Sequence, residues 1–374
     1  MAVTITEVTN RFKLKKFVKF NIQLYKDNPY HVPGLVGDEM MTLSRKKNPA
    51  FDFCESVYFL AYRDNQIVGR IAGIINHRAN ETWNQQYARF GFVDFIDDEE
   101  VSSALFKAVE NWAIAKGMKG VQGPLGFTDL DHEGLLVWGF DRLGTMATSY
   151  SFSYYMKHIE NLGYAKDQDW KEFLITVPNG IPEKYQRIAD IVRQKYGFNV
   201  KKFKHTRDIW PYARKIFELW NAAYRPLYGF SELSPKQIEY YIKMYIPMLR
   251  LDLLTLILDS NDDVIGVGIT LPSLSKALQK AKGYLLPFGW IYLLKALYGK
   301  NEVVDLYIIG ILPEYQSKGV NSLIFNDLIT TCNKIGYLFA ESNPELETNH
   351  KIQTLWDSFE REHHKIRRAY IKHL

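Results

Sequence analysis

Cysteine is scarce: only Cys54 and Cys332 occur in 374 residues. They stand far apart and belong to no CxxC pair or Cys/His cluster, which excludes a disulfide framework and a zinc module of ordinary spacing. No metal site is expected. Long apolar runs are missing too. The most apolar stretch, GYLLPFGWIYLLKALY at 283–298, contains Pro287 and Lys295. It falls short of the roughly 20 residues a spanning helix needs, so no stable membrane insertion is expected. The opening MAVTITEVTNRFKLKKFVKF has no apolar signal core, which points to a cytoplasmic protein. Strong charge of one sign is absent as well: 47 basic and 42 acidic side chains leave +5. That surplus tolerates an anionic ligand but is no nucleic-acid footprint, and no RNP, zinc-finger or basic-helix pattern accompanies it. No segment is of low complexity.

Aromatics are plentiful, with 24 Tyr and 22 Phe, enough for large cores or apolar pockets. The length suits two domains. The first half opens with an alternating strand, VTITEVT, and the basic amphipathic stretch RFKLKKFVKFNIQLY. A hairpin at 57–75 turns at Asp64-Asn65. The strand ARFGFVDF runs into Asp97-Asp98-Glu99-Glu100 and a helix closed by Gly117. A short strand VQGPL, a helix ending at Gly163 and the strand WKEFLITV follow. The second half repeats that order: two helices, a hairpin at 251–271, the strand VVDLYIIGI, the helix SLIFNDLITTCNKIG, the strand YLFAES, the helix HKIQTLWDSFE and a last strand near KIRRAYIKHL. The element order repeats without a detectable sequence repeat. Pro and Gly cluster at 178–185, which predicts domains at 1–180 and 181–374, with a linking helix and strand over 183–202.

The loop ILPEYQSKGVNSLIF (311–325) sits between a strand and a helix. The first turn of a helix carries unpaired N–H groups and partial positive charge, which suit a pyrophosphate. Glycine lets a phosphate approach the backbone closely, and Lys318 adds charge. Ile309, Ile311, Pro313, Gln316 and Gly319 match the pattern of the GNAT acyl-CoA N-acyltransferase superfamily, in which Gln/Arg-x-x-Gly-x-Gly/Ala follows the fourth strand. Asn321 replaces the last Gly/Ala. Farther on, Asn349, Ile352 and Leu355-Trp356 stand where that family often carries Asn-x-x-Ala-x-x-Leu-Tyr. The chain thus resembles tandem-GNAT bacterial proteins over nearly its whole length, with specific motifs over about 303–322 and 341–359. The resemblance implies an α/β fold of two GNAT-like domains, each a mixed, mostly antiparallel sheet flanked by helices. It implies an N-acyltransferase using acetyl-CoA or a longer acyl-CoA and a small-molecule or peptide amine acceptor. Ile309, Ile311, Gln316, Ser317, Lys318, Gly319, Val320 and Asn321 then hold CoA in the second domain. The acidic turn at 97–100 would repel a pyrophosphate, so the first domain is expected to bind none.

The family's tyrosine commonly protonates the departing thiolate. Trp356 cannot, because an indole N–H is no practical acid; a core aromatic is the plainer reading. Two alternatives follow: an inactive GNAT scaffold that binds a ligand or a partner protein, and acyl or aminoacyl transfer from a donor other than CoA. Asp305 and Tyr307 share a strand face by alternation, and Glu341 ends the fifth strand. Each of the three is a candidate base, beside an ordinary hydrogen-bonding role. The Gly-rich stretch 123–141 holds Asp129, Asp131 and His132. With Tyr154 and Tyr155 it is expected to wall a substrate pocket; the bland alternative is a long ordered loop. The insert 272–301 predicts two short helices broken around Gly283 and Pro287. Its apolar side chains Leu285, Phe288, Trp290, Ile291, Leu294 and Leu297 suit packing on a neighbouring domain, or a lid or tunnel for a long acyl chain or apolar acceptor.

Overall fold

A computed structural model describes residues 2–374. The chain forms two compact units. Unit 1 holds residues 1–171, 274–294 and 364–374, and unit 2 holds 172–273 and 295–363. Two stretches of the second half thus belong to unit 1. Local bonding explains both. The last strand pairs with 120–123, and the insert bonds to residues 29–36 through Gln279 and Gly283.

Through unit 1 the elements run β1 (Thr4–Glu7), α1 (Arg11–Leu24), α2 (Val36–Thr42), β2 (Cys54–Arg63), β3 (Gln66–Asn76), α3 (His77–Thr82), β4 (Tyr87–Phe95), α4 (Glu99–Ala115), β5 (Gly120–Gly123), β6 (Leu135–Trp138) and α5 (Tyr154–Asn161). Strand β7 (Ala165–Thr176) crosses into unit 2. There follow α6 (Glu183–Tyr196), β8 (Asn199–Lys201), α7 (Trp210–Tyr224), α8 (Pro235–Tyr245), β9 (Leu254–Leu258) and β10 (Val264–Pro272). The insert forms α9 (Ser275–Ala281) and α10 (Gly289–Tyr298). Then come β11 (Val303–Ile311), α11 (Val320–Ile335), β12 (Phe339–Ser342), β13 (Glu345–Leu346), α12 (His350–Gln353) and β14 (Arg361–His373).

The strand order is β1-β2-β3-β4-β5-β14 in unit 1 and β7-β12-β11-β10-β9-β8 in unit 2. In each, hairpin partners are antiparallel and one pair is parallel: β4 with β5, and β11 with β12. The Asp64-Asn65 turn has φ of 51° and 61° at its two residues, the left-handed geometry that a two-residue hairpin asks of Asn and Asp. Helix α4 buries Val101, Leu105, Phe106, Val109 and Ala113, a three-to-four spacing that lays one face on the sheet of unit 1. Helix α11 does the same in unit 2 with Val320, Leu323, Ile324 and Leu328. Each of these Val, Leu, Ile and Phe side chains, fully buried, contributes about 1.5–3 kcal/mol.

The sequence reading missed β6 and β13, both short. It also overran α12, which stops after four residues. There Gln353 Nε2 turns back to the carbonyls of Leu346 and Glu347. A 3-10 turn at Trp356–Ser358 then buries Trp356 against Phe325 and Phe359.

Candidate functional site

In unit 2, β11 and β12 pair from Val303–Phe339 to Leu306–Ser342 and then part. On its other side β11 stays paired with β10 out to Ile311, across a register shift that skips Tyr307. From Tyr307 to Ile311, one edge of β11 therefore has no strand partner among the described residues. Side chains take some of its carbonyls. Asn343 Nδ2 donates to Tyr307 O at 2.8 Å, Tyr224 OH to Ile309 O at 3.4 Å, and Gln316 Nε2 to Ile311 O at 3.3 Å. An open edge of this kind offers backbone donors and acceptors to an extended, amide-bearing ligand.

Past Ile311 the chain makes a 3-10 turn, Pro313–Lys318, and enters α11 through Gly319 at φ 76°. A side chain is strained in that conformation. A Cβ there would stand 2.9 Å from Ile188 Cγ2 and 3.1 Å from Val192 Cγ2. Among the described residues, no side chain caps the first turn of α11. Lys318 Nζ lies 4.2 Å from the centre of the Tyr315 ring, and the Tyr315 hydroxyl reaches Asp259. Gln316 and Ser317 are exposed, Lys318 and Asn321 half-buried, and Val320 buried. The eight residues expected to hold CoA thus run from the open edge of β11 to the first turn of α11.

The chemistry-bearing side chains lie beside that edge. Asp305 and Glu341 are register partners on β11 and β12, and both are buried. The Tyr307 hydroxyl is buried and, among the described residues, has no hydrogen-bond partner. Burial, then Asp305, holds it a neutral phenol, well above the usual range. Glu345 on β13 was not singled out by sequence. Its Oε1 accepts the Trp356 Nε1–H at 2.6 Å, and its buried Oε2 has no hydrogen-bond partner among the described residues. Burial pushes this carboxyl up to about 8, against the lowering effect of Trp356 and Arg361. Glu345 is also near enough to help burial raise the Tyr224 hydroxyl to about 12. Nothing in PELETNH marks Glu345 as special; only the fold buries it. Trp356 is 3% exposed, a core aromatic whose one polar atom orients Glu345.

Unit 1 treats the equivalent elements differently. Strands β4 and β5 pair from Tyr87–Gly120 to Arg89–Gln122. The following loop then lies back on β4, and Leu125 N donates to Phe90 O at 2.9 Å. A Cβ at Gly91 would meet Leu125 O at 2.3 Å, so the loop covers the edge that unit 2 leaves open. The first turn of α4 is also occupied. Asp98 Oδ1 accepts from Glu100 N and Val101 N, and Arg63 pairs with Asp98 at 2.6 Å. A second anion there meets a carboxylate already in place.

The expected pocket wall in 123–141 is mostly loop scaffolding. Asp131 Oδ2 accepts from Phe127 N and Thr128 N, and burial raises this carboxyl to about 6. Asp129 faces Glu133, whose carboxyl is raised by burial and by that neighbour. His132 Nε2 lies 3.1 Å from Met146 O. Tyr154 OH donates to Phe95 O, while the fully buried Tyr155 OH accepts from Phe95 N and bonds Tyr25 OH. Both tyrosines hold the backbone of β4 through their hydroxyls. The insert departs from expectation as well. Leu297 is buried, but Leu285, Phe288, Trp290 and Leu294 are exposed, so packing does not account for them.

No family model matches the chain. Two curated proteins match along its whole length. One, from Caulobacter vibrioides, is named a bacterial ceramide synthase; it is 27% identical over 100% of this chain and 98% of its own length. The other, Protein YghO of Escherichia coli, is 27% identical over 98% of this chain and 94% of its own. Among solved structures, a tandem GNAT protein from the clavulanic acid biosynthesis pathway superposes with a TM-score of 0.58 at 10% identity, covering 99% of this chain and 98% of that one. A probable N-acyltransferase from Enterococcus faecalis gives 0.54 at 9% identity, covering 100% and 73%. The chain has the tandem GNAT acyltransferase fold that its loop and element order suggested.

Proposed function

We propose that unit 2 binds a long-chain acyl-CoA and transfers its acyl group to the amine of a long-chain amino alcohol, forming an amide. The observation that carries the reading is the open edge of β11, 307–311, leading into the uncapped first turn of α11. Unit 1 has the same elements with both places filled. The substrate class is suggested by the full-length relative named a ceramide synthase, since a ceramide is a fatty amide of a long-chain amino alcohol.

Ile309 and Ile311 offer backbone groups to the pantetheine arm. Val320 and Asn321, with Gly319 keeping the approach clear, offer helix N–H groups to the pyrophosphate. Lys318, Gln316 and Ser317 add charge and hydrogen bonds at the rim. Asp305 and Glu341 draw the acceptor's ammonium toward the open edge. The ammonium first gives one proton to water; the free amine nitrogen then attacks the thioester carbon, and the second proton that the nitrogen sheds passes to the Glu345 carboxylate. The neutral Tyr307 hydroxyl donates to the oxyanion. The C–S bond then breaks, and the thiolate leaves and takes up a proton from water. Trp356 supports a second reading, binding without turnover, because it stands where the family carries its acid.

Incubation with palmitoyl-CoA and sphinganine should yield the N-acyl product and free thiol in equal amounts, followed by mass spectrometry and a thiol reagent. Acetyl-CoA should react far more slowly. Equal rates with acetyl-CoA overturn the chain-length assignment. Stabilisation by CoA with no amide from any acyl-CoA selects the second reading.

A further inference from the structure

The apolar apex of the insert is exposed, and two neighbouring segments surround it with cations. Leu286 is 77% exposed and Phe288 64%, with Tyr284, Leu285, Trp290 and Leu294 each above 40%. These side chains occupy the turn between α9 and α10 and the first turns of α10. Residues 274–294, the part of the insert in unit 1, contain three lysines and no Asp or Glu. Helix α1 contains Arg11, Lys13, Lys15, Lys16 and Lys19, again with no acid.

The two segments meet within unit 1. Lys19 Nζ lies 5.4 Å from the Tyr284 ring centre. A Cβ at Gly283 would stand 2.4 Å from Ile22 Cδ1, so the base of the apex rests on α1. Gln279 Nε2 donates to the carbonyls of Pro29 and His31, and Val36 N to Gly283 O, which fixes the insert in place. The exposed stripe of α1 continues through Lys16 to Phe12, itself 69% exposed, with Lys16 Nζ 4.9 Å from that ring.

We infer that this face docks on an anionic lipid bilayer, with the 284–294 apex entering the headgroup region and the lysines resting on the lipid phosphates. The side-chain chemistry selects that occupant. Trp and Tyr prefer the membrane–water boundary, and Leu and Phe prefer the acyl region beneath it. The Trp290 Nε1–H is already satisfied by Pro287 O, so the indole enters without losing a water bond. Of the eight cations in these two segments of unit 1, seven are lysines and one is arginine. A protein–protein interface depletes lysine and favours arginine, whereas lysine stems extend along apolar surface with the charge at the phosphates. Beyond these segments, Asp27 pairs with Lys26, and Asp38 lies in the first turn of α2. Helix α10 has ten residues, so the attachment is peripheral, and among the described residues no helix is long and apolar enough to cross a membrane. The inference stands on exposure and charge and does not depend on the reaction proposed for unit 2.

Flotation of the full-length protein with phosphatidylcholine vesicles, with and without phosphatidylglycerol, tests it. The protein should float with the phosphatidylglycerol vesicles at low salt, and high salt should release most of it. The double variant Leu286→Ser/Phe288→Ser should lower partitioning about 100-fold, and Lys16→Glu/Lys19→Glu about tenfold or more. Both pairs are surface residues, so the melting temperature should hold. Cys54 and Cys332 are buried, so Phe288→Cys gives a single accessible thiol for an environment-sensitive dye; the dye should be quenched by brominated lipid. No flotation at low salt overturns the inference, as does flotation that both double variants leave unchanged. Sedimentation velocity showing a dimer that Leu286→Ser/Phe288→Ser dissolves, without lipid binding, overturns it in favour of a second copy of this chain.

Discussion

Glu345→Gln should lower amide formation about 10²–10⁴-fold, the range for losing a general base, while the protein remains folded. The amide of Gln keeps an oxygen for the Trp356 Nε1–H, so the local packing persists. What disappears is the group that accepts the amine's proton. Because burial pushes Glu345 up to about 8, the wild-type rate should climb with pH through that value as the carboxylate forms. The residual rate of the variant should lack that limb. Stability should move the opposite way. The unfolded carboxyl ionises near its ordinary value, about 4.3, and the folded one only near 8. Both states are protonated below the unfolded value, so the native form loses stability as pH rises from there to 8. Glu345→Gln removes this loss and should melt higher than wild type at pH 8, with the gap closing in acid. Lower activity with higher stability is an outcome that a merely structural role does not produce. Parallel variants Glu341→Gln and Asp305→Asn should mainly raise KM for the amine. A larger rate loss at Glu341 than at Glu345 would transfer the role of base to Glu341.

Gly319→Val should abolish the rise in melting temperature that CoA gives the wild type. A ligand that binds only the native state stabilises it by mass action, so the shift reports the site. At φ 76° a β-branched residue costs about 1–3 kcal/mol. Its Cβ also meets Ile188 and Val192, which displaces the start of α11 from α6. The baseline falls in consequence, and the diagnostic quantity is the CoA-dependent shift measured on top of it. The control lies in unit 1. Asp98→Ala removes the cap of α4 and should cost about 1 kcal/mol, while leaving the CoA shift intact. If Asp98→Ala abolishes the shift and Gly319→Val does not, the two units have been assigned the wrong way round.

The parts of this molecule that were readable in the sequence are those set by local chemistry. Alternation and Asp64-Asn65 located the β2–β3 hairpin, helical spacing located α4 and α11, and the run from Ile309 to Asn321 marked the strand–turn–helix that unit 2 forms. The acids at 97–100, read as a turn hostile to a pyrophosphate, include the cap of α4, Asp98. What escaped notice depends on partners distant in sequence. Strand β14 lies in unit 1 because it pairs with β5, some 250 residues earlier. Tyr154 and Tyr155 look like pocket residues until their hydroxyls are seen on the backbone of Phe95. Glu345 looks like any surface glutamate until burial, opposed by the Trp356 hydrogen bond, gives it an unusual proton affinity. The apolar composition of the insert suits packing on a neighbouring domain and a lid or tunnel alike, and only the structure shows which of its side chains are exposed.

Backbone hydrogen exchange with and without CoA tests the central claim most directly, because it reads the donors themselves. CoA should slow exchange at amides within 307–311 and at 320–322, where the open edge of β11 meets the first turn of α11. Amides at 97–101 and around 123–127, where unit 1 fills the same places with Asp98 and Leu125, should exchange as before. Protection appearing at 97–101, or none at 320–322 under saturating CoA, would contradict the account.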